Sequence, residues 1–173
     1  MPRKLSYIAL LLLILVSFSC KKIKQLPPEP KIEYRSYVMF DSTDILLGNT
    51  FKAGRLEFYF EDGDGDLGLD QPIPGYPGQD TVNLVFYQYN KANGIYSDPS
   101  DSLYYRIPYI ERLGQNQIIM GTINISFLYI GYSDQDTIKY DFFIKDRAGN
   151  ISNTSTSCEI SFLDEGGCIE DPA

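Results

Sequence analysis

The stretch Glu61-Asp62-Gly63-Asp64-Gly65-Asp66-Leu67-Gly68-Leu69-Asp70 sets carboxylates at alternate positions with glycines between them. Three ionised carboxylates packed into one turn repel one another, so Asp62, Asp64 and Asp66 call for a cation among them. Gly63 and Gly65 let the main chain curl until those oxygens converge, and hard carboxylate and carbonyl oxygens are the donors that calcium prefers. A second polar turn, Asp146-Arg147-Ala148-Gly149-Asn150, offers Asp146 and Asn150 as further ligands if the fold brings it alongside. The competing account is structural: Asp-Gly repeats form turns, and Asp146 caps one with Arg147 as its ion-pair partner. The chain contains no His, which removes Ser-His and Cys-His nucleophile pairs and His-ligated zinc or iron sites. A carboxylate-pair glycosidase survives that exclusion, but the acids gather in a metal-like loop, so no catalytic residue is assigned and no enzyme is expected.

The loop begins like an EF-hand, with Asp62, Asp64, Asp66 and Asp70 at its first, third, fifth and ninth positions. It then departs, because Leu67 stands where the glycine belongs and Ile73 where the bidentate glutamate belongs. Strands, not helices, must position it. From Tyr34 onward short alternating runs rich in aromatic and β-branched residues predict strands at 34–40, 55–61, 82–89, 103–107, 119–129, 139–145 and 159–162. About seven strands bounded by Gly, Asn, Asp and Pro clusters predict an all-β fold, an antiparallel two-sheet sandwich of immunoglobulin type. A small closed barrel is the competitor. In such a sandwich the loops after the second and sixth strands share one end, which would carry Asp146 and Asn150 to the Asp-Gly loop. The third and sixth strands pair, placing Tyr87, Tyr89 and Phe143 on an outward strip that could bind glycan or protein, or that could simply stabilise the sheet.

The N-terminus reads as an address. Arg3 and Lys4 precede fourteen uncharged residues, 5–18, too few for a bilayer core that needs roughly 20. The stop at Ser17-Phe18-Ser19-Cys20 resembles a bacterial lipobox, in which Cys20 becomes the new N-terminus carrying diacylglyceryl and N-acyl lipid. Phe18 departs from its tightest form. Removing residues 1–19 takes away two positive charges and moves the net charge from −8 to −10, which disfavours nucleic acid as a partner. Residues 20–31 then form a basic, Pro-rich tether, 32–163 the sandwich and 164–173 an acidic tail. With Cys20 acylated, Cys158 and Cys168 are the remaining thiols in an oxidising compartment, and pairing them would staple the tail to the last strand.

Phe58 through Leu69, Tyr105-Arg106-Ile107-Pro108, Gly121-Thr122-Ile123 and Asp141 through Asn153 together resemble envelope lipoproteins of Bacteroidetes that carry an immunoglobulin-like domain. The resemblance covers about residues 31 to 162 and implies an outer-membrane lipid anchor but no activity. Relaxed lipoboxes suit that group, and the lack of acidic residues directly after Cys20 points to the periplasmic face. The expectation is a non-enzymatic envelope lipoprotein, a calcium-stabilised structural or partner-binding module. A glycan-binding module in a polysaccharide-utilisation or adhesion system is the alternative. Palmitate labelling of the expressed protein should mark the wild type and not Cys20→Ala; equal labelling of both would remove the anchor.

Overall fold

The computed structural model describes residues 26–169 apart from 45, 47, 76, 80, 100, 113–116, 134–135 and 164–166. Cys20 and the signal-like segment lie outside the described residues. Among the described residues ten strands form two antiparallel sheets: β1 (Lys31–Thr43), β2 (Thr50–Asp62), β3 (Leu84–Ala92), β4 (Ile95–Tyr96), β5 (Asp101–Tyr105), β6 (Ile119–Tyr129), β7 (Thr137–Ile144), β8 (Ser155–Thr156), β9 (Ile160–Ser161) and β10 (Cys168–Ile169). The first sheet runs β10-β1-β2-β6; the second runs β4-β3-β7-β8, with β5 on β3 and β9 on β7. The seven expected strands are all present. The three additional ones, β4, β8 and β10, are two residues long and too short to leave an alternating pattern.

Alternation decides which side chains enter the core. Leu56, Phe58 and Phe60 of β2 face Leu84 and Phe86 of β3 and Tyr140, Phe142 and Ile144 of β7, all of them buried. The ring centroids of Phe58 and Phe142 lie 5.2 Å apart across the two sheets, and those of Phe127 and Tyr140 lie 4.9 Å apart. On β1 the buried set changes parity from Ile32 and Tyr34 to Tyr37 and Met39. A register shift between Tyr34 and Ser36 explains it, because Arg35 is the extra residue of a β-bulge.

A chain of hydroxyls threads this apolar core. Tyr37 and Tyr129 share a 2.6 Å hydrogen bond, Tyr129 and Tyr140 one of 3.1 Å, and Tyr140 donates to Gln88 Oε1 at 3.2 Å. Burial holds all three tyrosines well above the ordinary phenol range.

The free edge of β1 is closed from several directions. Ile32 N–H donates to Asn153 Oδ1 while Asn153 Nδ2 donates to Ile32 O, and Tyr34 N–H donates to Ser155 Oγ. Beyond these β10 pairs with Ser36 and Tyr37, so this part of the expected acidic tail belongs to the sheet. Cys158 and Cys168 are joined, with Cα atoms 6.3 Å apart, and the bridge ties the second sheet to β10 of the first.

The tyrosine chain predicts alkaline sensitivity. Neutral hydroxyls are favoured in the folded state, whereas unfolded tyrosines ionise near pH 10, so this contribution is complete below about pH 9 and is lost above pH 10. Urea midpoints measured from pH 7 to 11 should be level and then fall, less steeply in Tyr129→Phe; a midpoint constant to pH 11 would contradict it.

Candidate metal centre

The Asp-Gly loop leaves β2 at its last residue, Asp62, and returns to the core through two leucines. Leu67 and Leu69 are buried, and Leu69 is pinned by its N–H to Ile107 O and by Tyr109 N–H to its own carbonyl, each at 2.9 Å. Between those anchors the chain has to turn tightly. Gly65 sits at φ +67°, and a side-chain carbon there would strike the Gln117 carbonyl. Gly63 has normal handedness but leaves no room for a side chain, because the Leu26 and Pro27 carbonyls of the incoming tether lie against it. The tether therefore crosses the acidic loop before it becomes β1.

One oxygen each from Asp62, Asp64, Asp66 and Asp146 falls within 4.8 Å of the others. Asp62 is fully buried and Asp146 only 1 % exposed. Buried Oδ1 atoms of Asp62, Asp64 and Asp66 have no hydrogen-bond partner. The opposite oxygens are held by the main chain: Leu67 N–H donates to Asp62 Oδ2 at 2.7 Å and Ala148 N–H to Asp66 Oδ2 at 2.9 Å. Each of these two carboxylates is thus fixed on one side and bare on the other. Burial pushes the Asp62 carboxyl up to about 6, with the Leu67 amide opposing the rise and Asp64 and Asp66 adding to it. Asp66 is raised by burial and then by Asp146 and Asp64, against the Ala148 amide and the Arg147 charge.

Asp146 arrives from the other sheet, two residues after β7 ends. Asn150 holds it with both donors, main-chain N–H to Oδ1 at 2.7 Å and Nδ2 to Oδ2 at 2.8 Å. Asn150 thereby orients Asp146 through its N–H groups, beside the carboxylate cluster for which it was expected as a ligand. Arg147 does not pair with Asp146 as a simple turn would have it. Its guanidinium donates to Gly68 O at 3.0 Å and lies over the Tyr109 ring, 4.9 Å from the centroid. Arg112 donates to Asp64 O at 3.2 Å, and Arg106 to Leu69 O at 3.1 Å and Asp70 O at 2.9 Å. These arginines bind main-chain carbonyls of the loop rather than its carboxylates.

Sequence reasoning missed the leucine anchors, although Leu67-Gly68-Leu69 is the alternation that would have marked them. It also missed the arginine contacts and the tether against Gly63, for which neither periodicity nor spacing gave a signal. The aromatic strip lies where expected. Val85 is opposite Phe143 and Tyr89 opposite Lys139, with the Tyr87 and Phe143 rings 6.2 Å apart. Tyr87 is exposed, whereas Lys139 Nζ sits 5.2 Å from the Tyr89 ring.

No protein family, curated protein or solved structure matches this chain.

Gly65→Ala should destabilise the fold by about 2 kcal/mol or more, combining positive φ with collision. Gly75→Ala, at φ +85° but in open space, should cost only about 1 kcal/mol. Equal losses in urea melts would mean that the loop does not pack against Gln117.

Proposed function

We propose that this chain is a non-enzymatic envelope lipoprotein, anchored through Cys20 at the periplasmic face of the outer membrane, whose sandwich is stabilised by calcium and serves as a structural or partner-binding module. The observation that carries the metal is the set of three unpartnered, buried Oδ1 atoms on three members of a four-carboxylate cluster. At an effective dielectric near 20, two carboxylate oxygens less than 5 Å apart repel by about 3 to 4 kcal/mol. A divalent cation replaces that repulsion with attraction and supplies a partner for each bare oxygen. Oxygen donors in an irregular loop suit calcium, which tolerates varied geometry; magnesium demands a smaller, stricter octahedron.

The anchor is compatible with this arrangement. The chain enters the sandwich against Gly63, at the acidic end, so a cation there would also steady the docking of the segment that follows Cys20. A glycan-binding role is the alternative reading, favoured by the exposed Tyr87 and the 62 % exposed Tyr104 around Val85 and Phe143. A glycan array distinguishes it, since binding lost in Tyr87→Ala would establish that role.

Calcium should bind the folded chain and not the unfolded one, adding about 2.7 kcal/mol at a hundredfold excess over Kd. Thermal melting should shift upward with calcium, return with chelator and respond weakly to magnesium. Asp146→Asn should raise the calcium Kd about tenfold or more, because removing one anionic ligand lowers the charge count that sets affinity. A melting curve indifferent to calcium would refute the metal, and equal shifts in wild type and Asp146→Asn would refute the joining of the two loops.

A further inference from the structure

The two lateral sides of the sandwich are treated differently. On one, β1 is covered by Asn153, Ser155 and β10, and the Cys158–Cys168 bridge locks the cover in place. On the other, β6 runs for 11 residues with β2 as its only hydrogen-bonded neighbour among the described residues. The connector from β5 to β6 is described at 106–112 and 117–118. Its described contacts hold it at the acidic end, through the Leu69–Pro108 bridge and the Arg112 bond to Asp64.

Exposed edges of this length are normally blunted by charge, proline or a bulge, because their free N–H and C=O groups recruit other strands. Ile119-Met-Gly-Thr-Ile-Asn-Ile-Ser-Phe-Leu-Tyr129 contains neither charge nor proline, and its pairing with β2 is continuous. Its inward face is also incomplete. Ile119, Ile123 and Ile125 pack against the core yet remain only partly buried, whereas Leu56 and Phe58 on β2 are fully buried.

We propose that β6 is the site at which a second copy of this chain adds its own β6, antiparallel about a two-fold axis through Asn124, joining two four-stranded sheets into one of eight. The strand is self-complementary in that register. Ile123 falls opposite Ile125, Thr122 opposite Ser126 and Met120 opposite Leu128, so isoleucines meet on the core side while hydroxyls and then apolar side chains meet on the outer side. Met120 and Leu128 are 51 % and 62 % exposed in the single chain, and the pairing covers both. The overall acidity does not oppose the contact. The nearest outward charges, Arg55 and Glu57, sit on β2, and three strand spacings of about 4.8 Å separate the two β2 strands, beyond a screening length of about 8 Å.

Sedimentation of the full-length protein in detergent tests this. The wild type should be a dimer, and Asn124→Lys, which places like charges on the axis at an exposed position, should raise the dimer Kd about tenfold or more. Thr122→Lys combined with Ser126→Lys should likewise dissociate it, whereas Thr122→Lys combined with Ser126→Glu sets opposite charges across the axis and should remain dimeric. That last variant controls for folding, since it carries the same number of substitutions at the same positions. A monomeric wild type at its solubility limit, a dimer indifferent to Asn124→Lys, or equal dissociation of both double variants would overturn the proposal.

Discussion

Four carboxylates forced into a space from which water is largely excluded set the terms for one whole end of this molecule. Asp62 ends a strand of the first sheet and Asp146 follows a strand of the second, so their approach closes the sandwich at that end. Left unbalanced, the repulsion would push the sheets apart; balanced by a cation, it becomes the clasp between them. The surrounding groups are arranged to hold this geometry. Leucines anchor the loop below, arginines grip its carbonyls from the sides, and the tether lies across Gly63.

A second clasp works by different chemistry. The Cys158–Cys168 bridge joins the sheets along the β1 side, where Asn153 also presents its amide to β1 as a neighbouring strand would. Between the clasps the core is held by aromatic contacts and by the tyrosine hydroxyl chain, in which each buried hydroxyl finds a partner. The disulfide and the Asn153 bonds thus close the β1 side, whereas among the described residues β6 has β2 as its one strand neighbour. The acidic end also receives the chain before β1, whose Leu26 and Pro27 carbonyls lie against Gly63 of the acidic loop.

Much of this was legible because strand periodicity is a short-range property. Leu56, Phe58 and Phe60 announce their shared face by spacing alone, and the placement of Asp146 beside Asp62 follows from counting strands in a sandwich. The parity change on β1 was not legible, since a bulge at Arg35 shifts the pattern without altering composition. The pairing of β10 with β1 also escaped, because two residues held by a disulfide need no hydrophobic alternation to stay in place. Asn150 was recognised as part of the site, but that its two N–H donors hold Asp146 depends on which of its atoms face that carboxylate, and spacing does not carry this.

The central claim is that the three bare oxygens mark one ion position. The most direct measurement is anomalous diffraction from crystals grown with terbium in place of calcium. The account predicts one strong peak per chain, bonded to Asp62 Oδ1, Asp64 Oδ1 and Asp66 Oδ1 and to a carboxylate oxygen of Asp146. Crystals that show no peak there, or a peak bound only by surface acids elsewhere, would contradict it.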